Sequence, residues 1–297
     1  MHGFKEARAN KELASHSHPY LGLLCIVQGM NPWLILGPAG MIAVGVTSVL
    51  YWRRRTGAPL RLFYQGGLWW GLAMAPKFLM DIYLTPRISY WVFNRFGLVG
   101  ALIGIGLYVG LRTGLLESAI VLLAFNREEL NELSVDEAVA FGIGFGAFEA
   151  MFLGIPSLIQ IAAFNLYPSM VESLTLDQLM QLLVQLNAPT WVVGAPILER
   201  GFTMMAHVYA ILLIYRGVTN EDSRSVLMAI AYKSALDAMV PLMQWLLSSG
   251  GFGMVYVVEV WVVIMGLVGL WGSRRIMLEM SNRDLPGLSD EQNLSVY

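Results

Sequence analysis

Glu199, Arg200 and His207 fall within "APILERGFTMMAHVYAILLIYR" (195–216), a run that is otherwise aliphatic, aromatic or methionine. A carboxylate beside a guanidinium, with an imidazole two turns on, is equipped to hold and deprotonate a water. Arg200 and His207 are seven apart, which returns almost to one face of a helix. Glu199 lies about 80–100° from both, so one broad stripe holds all three. Ionisable residues also interrupt the other apolar runs: Lys77 and Asp81, Arg112 and Glu117, Glu149, Lys233 and Asp237, and Glu259. An ionised side chain facing lipid at mid-helix costs about 3 kcal/mol, so these groups are expected to face one another or a wet interior. Lys77 and Asp81 are four apart, as are Lys233 and Asp237, so each pair shares a helix face and is expected to neutralise itself. Counting from the span ends puts Glu149, Glu199 and Asp237 at one depth on three helices, around a buried polar chamber. The plainer role for such a network is to orient helices through hydrogen bonds contributing about 1 kcal/mol each. Glu149, Glu199 and His207 offer three N/O donors to zinc, but the chain has no His-Glu-x-x-His pair, and neither a metal nor another cofactor is expected.

The elements that must carry these residues follow from composition. Of 297 residues, 56% are hydrophobic and only 13% charged, about half the charge of a soluble chain, and the apolar ones fall in long blocks. The fold class is therefore all-α: a polytopic transmembrane bundle of about seven spans. The spans are expected near 31–52, 62–83, 97–125, 135–163, 189–216, 224–248 and 251–272. "SLTLDQLMQLLVQL" (173–186) has apolar residues at helical spacing between polar ones and predicts an amphipathic helix at the interface. Residues 1–20 form a polar tail, 21–273 a single transmembrane domain, and 274–297 a polar C-terminal tail. Within the domain, 20–30 either extends the first span or forms a short re-entrant piece broken at "GMNP". Cys25 is the only cysteine, which excludes a disulfide framework and a thiolate metal cluster. His2, His16 and His18 lie in the polar tail, where solvation is the simplest reading. The net charge of −2 and the lack of a basic tract give no support to nucleic-acid binding. Arg53, Arg54 and Arg55, then Arg216 and Arg224, then Arg274, Arg275 and Arg283 flank alternate spans, which predicts a cytoplasmic C-terminus. Lys5, Arg8 and Lys11 pull the other way at the N-terminus. Gly142, Gly146 and Gly154 with Ala150, and a glycine series from Gly100 to Gly114, predict close helix approach.

These motifs resemble the YhfC family of glutamic-type intramembrane proteases, relatives of the CAAX-protease and bacteriocin-processing superfamily. The likeness runs from "YWRRRTGAPLRLFYQGGLWWGL" (51–72) through the sixth span. It rests on Gly114 and Glu117 in "GLLESAIV", Gly144, Gly146 and Glu149 in "GFGAFEA", Glu199, Arg200 and His207 in "ERGFTMMAH", and Asp237 in "KSALD". Four positions depart from the family pattern: Ser118 replaces an acid, Val121 an arginine, and Phe145 and Lys233 each a histidine. The resemblance implies an endopeptidase in which Glu149 or Glu199 activates water with His207 assisting, and in which Arg200, Asp237 and Glu117 organise the site. Its substrate would be a membrane protein. The departures favour a second outcome, a protease-like scaffold that binds a membrane protein partner without catalysis. A proton relay or transporter built on the same acids is the third, and no inverted repeat supports it.

Overall fold

The computed structural model describes residues 31–281, apart from 131. The tail 1–20, the segment 20–30 with Cys25, and everything beyond Ser281 lie outside the described residues. Those described are helical, and no strand occurs among them. In chain order the helices are α1 (Leu36–Thr56), α2 (Leu60–Tyr83), α3 (Thr85–Phe125), α4 (Val135–Leu166), α5 (Leu176–Leu186), α6 (Gly194–Thr219), α7 (Ser223–Ala238), α8 (Val240–Gly250) and α9 (Val255–Ser281). Five stretches are long and apolar enough to cross a bilayer: Pro32–Thr56, Thr85–Phe125, Val135–Leu166, Thr190–Thr219 and Ser223–Ser281. The last of these folds back on itself at Gly251, whose φ of 60° is open to glycine and few other residues. α2 is absent from that set, and its buried Lys77 is one reason for its lower apolarity.

Contacts between helices fix the directions of the legs. α1 runs against α4, with Gly45 on Ala147 and Gly154 on Pro38 and Ile42. α2 runs with α4, because Gly144 meets Phe63 while Trp70 meets Phe152. α3 runs against α7: Gly106 faces Ala238, and Gly114 faces Ile230. α9 runs with α6, pairing Gly266 with Phe202 and Gly272 with Tyr209. The result is seven alternating legs, with α7 and α8 together forming one of them. Pro241, in the first turn of α8, has no N–H to give, and the leg breaks at Met239, after Ala238. The expected span 224–248 is thus two helices rather than one.

Two further differences have local causes. α3 is long enough to hold two segments, and Gly97 (φ 67°, ψ −168°) breaks it where the sequence places the start of the third span. The last helix extends beyond the span expected at 251–272 and continues to Ser281. There Glu279 binds Arg275 one turn away and Arg216 on α6, at 2.9 and 3.0 Å, which holds the extra turns together.

α4 opens on a capping box, in which Ser134 and Glu137 satisfy each other's backbone N–H groups. The Tyr215 hydroxyl donates to the Leu133 carbonyl at 2.5 Å and fixes that turn to α6. Below it Phe125, Phe141, Leu212 and Ile214 form a core with almost no exposed surface. This plug closes one end of the bundle. α5 is capped by Thr175 and Gln178 and buries Leu179, Leu182 and Leu186 on Phe164 of α4. Its other apolar stripe, Leu176, Met180 and Val184, is exposed, as an interfacial helix requires.

Candidate active site

Above the plug, α2, α3, α4, α6, α7, α8 and α9 enclose a cavity of about 350 Å³. Its polar wall consists of Lys77, Glu117, Glu149, Glu199, Arg200, Thr203, Lys233 and Asp237. Its remaining lining includes Phe78, Phe152, Leu153, Val240 and Met243. Phe78 and Phe152 are 45% and 46% exposed on the outer surface, so the apolar side of the chamber gives onto the hydrocarbon-facing perimeter.

Glu149 projects from α4 into one ion cluster. Arg200 Nη1 on α6 donates to its Oε1 at 2.5 Å, and the Trp70 indole on α2 donates to Oε2 at 3.1 Å. The other Arg200 amine donates to Glu199. Glu117 on α3 anchors a second cluster, with Lys77 Nζ 2.6 Å from Oε1 and Lys233 Nζ 2.9 Å from Oε2. His207, only 2% exposed, joins the two. Its Nε2 lies 2.9 Å from Glu149 Oε2, and its Nδ1 lies 3.3 Å from Lys233 Nζ. An ammonium only donates, so Nδ1 is the acceptor toward Lys233, while Nε2 lies beside Glu149 without a hydrogen bond of good geometry.

The positions singled out in sequence are thus brought together: Glu117, Glu149, Glu199, Arg200 and Asp237 line one cavity, and His207 bridges its acids. The Asp237 carboxylate makes no ion pair or side-chain hydrogen bond among the described residues, although its charge acts on Lys233 one turn away. Glu259 is buried on α9 but stands outside the cavity wall. The pairing of the lysines differs from expectation. Lys77 binds Glu117 rather than Asp81, and Asp81 binds Arg112 instead. Lys233 binds Glu117 and His207 rather than Asp237. Burial decides this: both lysines are almost wholly buried, as is the Glu117 side chain, whereas Asp81 is 47% exposed. A buried ammonium needs a partner at its own depth. Trp70 and Lys77 were not assigned to the site by sequence reasoning. They lie seven apart on α2, the same two-turn spacing that relates Arg200 to His207.

A second, much smaller void of about 10 Å³ lies beneath the chamber. Its wall contains Glu117, Ser118, Val121, Phe145, His207 and Lys233. The four positions at which the sequence resemblance marks departures, Ser118, Val121, Phe145 and Lys233, therefore border one spot. The Phe145 ring sits 5.2 Å from the His207 ring, and the Ser118 hydroxyl is buried without a partner.

The model of one protein family, described as YhfC intramembrane metalloprotease, matches residues 40–262. That is well over half of the chain, which belongs to this family. No curated protein and no solved structure matches it. The family's description implies a metal, whereas the resemblance seen in sequence implies water activated by Glu149 or Glu199 with His207 assisting and no metal. The residues present do not fit an ion. Among the described residues no group of three His, Cys, Asp or Glu is placed to hold one. The nearest candidates already have their donor atoms occupied by cations: Glu117 by two lysines, Glu149 by Arg200, and His207 Nδ1 by Lys233.

Proposed function

We propose that this member of the YhfC intramembrane metalloprotease family receives a locally unwound segment of a membrane polypeptide in its chamber and holds it without hydrolysis. One observation carries the reading. Glu117, Glu149 and Glu199, the acids best placed to activate water, are each bound by a fixed cation. A carboxylate that already accepts from lysine or arginine is a poor general base, because taking a proton means giving up that pairing. Binding asks less of the same groups. An unwound segment in hydrocarbon must satisfy its backbone N–H and C=O groups, and the chamber offers Arg200, Thr203, Glu199 and Asp237 beside an apolar flank.

Asp237 favours a second reading. It lines the cavity without an ion pair, so it is the acid through which metal-free hydrolysis would run, with Arg200 polarising the carbonyl. The same experiment separates the two. A photo-crosslinking residue in place of Phe152 or Met243 should capture an intact membrane polypeptide in cells, with no shorter product. Fragments that vanish in Asp237→Asn would establish the hydrolytic reading. Capture of nothing beyond what a residue on the far face of α3 captures would remove the binding role.

A further inference from the structure

The small void beneath the chamber is bordered by a cation that belongs to the chain. We propose that the Lys233 ammonium stands where the family's metal ion would sit, so that this protein folds and binds as a metal-free molecule. The inference rests on the reading of the chamber given above, but its test measures metal content, so the two can fail separately.

Geometry supplies the first argument. His207 Nδ1 and Glu117 Oε2 are 4.0 Å apart. A tetrahedral zinc with ligands at roughly 2.0–2.1 Å holds two donors about 3.3 Å from each other. The two atoms are therefore only a small movement from the separation a zinc ion imposes. Lys233 Nζ lies 3.3 Å from one and 2.9 Å from the other. The ammonium thus contacts both donors that an ion here would use.

Charge supplies the second. Lys77 reaches the other Glu117 oxygen at 2.6 Å, so the carboxylate receives two unit charges, as it would from one divalent ion. Both ammoniums are tethered to helices and are present at every metal concentration. The third argument is the missing coordination. A zinc held by His207 and Glu117 needs at least one more protein donor beside a water, and the neighbouring wall offers the Phe145 ring and the Ser118 hydroxyl. A neutral hydroxyl and a phenyl ring are not zinc ligands of the usual N, O⁻ or S⁻ kind.

The test uses the full-length protein in detergent, incubated with zinc chloride, desalted and assayed by elemental mass spectrometry. Wild type should retain far less than one zinc per chain, and its thermal midpoint should not move with EDTA or added zinc. Phe145→His combined with Lys233→His places two imidazoles beside His207 and Glu117. This variant should retain roughly one zinc per chain, with a zinc-dependent rise in thermal midpoint that EDTA reverses. Lys233→Met, which removes the ammonium and adds no donor, should gain no such response. The single variant Lys233→His serves if the double variant is not monodisperse, with the same zinc-dependent rise expected. Wild type that keeps one zinc and loses thermal stability in EDTA would overturn the proposal. So would folded histidine variants that take up no zinc, since the ammonium would then occupy some other place.

Discussion

With its two oxygens held by Lys77 and Lys233, Glu117 cannot be removed without leaving two buried ammoniums facing each other. Glu117→Leu should therefore cost about 3–5 kcal/mol, read as the midpoint of unfolding in a denaturing detergent titration. Replacing all three together, as Lys77→Met, Glu117→Leu and Lys233→Met, should recover most of that loss, because no charge is then left uncompensated. A different carboxylate sets a pH dependence outside the membrane. Asp222 caps α7, and the Ser225 hydroxyl donating to it holds its pKa below the ordinary value of 3.8. A lowered folded value stabilises the protein above the unfolded one, and the gain disappears as pH falls through the folded value. Thermal midpoints of wild type and Asp222→Asn should accordingly converge on the acid side of 3.8 and separate above it. The ionisable residues themselves were visible in sequence, since each interrupts an apolar run. Their partners were not. Spacing of four along a helix suggested Lys77–Asp81 and Lys233–Asp237, but which side chain meets which depends on depth and on the neighbouring helix. Trp70 escaped notice for another reason: an indole counts as apolar, although its N–H is a donor that Glu149 uses.

Helix crossings offer a sharper test. A Cβ at Gly144 would lie 2.0 Å from the Phe63 carbonyl oxygen of α2, where backbone meets backbone and nothing flexible can yield. Gly144→Ala should push α2 from α4 and destabilise by about 1–3 kcal/mol in the same titration. Gly71, on α2, has nothing within 4 Å of such a Cβ. There alanine should be neutral or stabilise by up to about 1 kcal/mol, through helix propensity alone. Glycine spacing in α4 foretold close packing, yet it did not tell these two classes apart. Whether a glycine is a contact or a passenger is set by the facing helix. The start of the third span near 97 was legible from hydropathy without tertiary knowledge, and the backbone turns there at Gly97. Pro241 was equally visible in the sequence, but a proline in the first turn of a helix is compatible with continuation of the leg, so the division of 224–248 into α7 and α8 was not foreseen.

Across the whole molecule, the alternating legs put the turns 57–59, 126–134 and 220–222 and the end of α9 on one side, and residues 167–193 on the other. The first side carries Arg53, Arg54, Arg55, Arg127, Arg216, Arg224, Arg274 and Arg275, whereas the other has Arg87 and Arg95 near the turn between α2 and α3 and no lysine or arginine in 167–193. We infer that the basic side, with the C-terminus, is cytoplasmic. In a Cys25→Ser background, Ser173→Cys should react with a membrane-impermeant maleimide on intact cells, and Glu128→Cys should react only after permeabilisation. The number of legs was legible because hydropathy reports length directly; the arginine clusters carry the expected sidedness, which the labelling checks. The chamber's shape was not, since it needs seven helices at once. Its flank of Phe78 and Phe152 has a kinetic corollary. A polypeptide arriving past those rings travels within the plane of the bilayer, so the search is two-dimensional and occupancy follows the number of copies per area of membrane. Diluting the same proteins into extra lipid should therefore empty the chamber, even with the aqueous volume held constant.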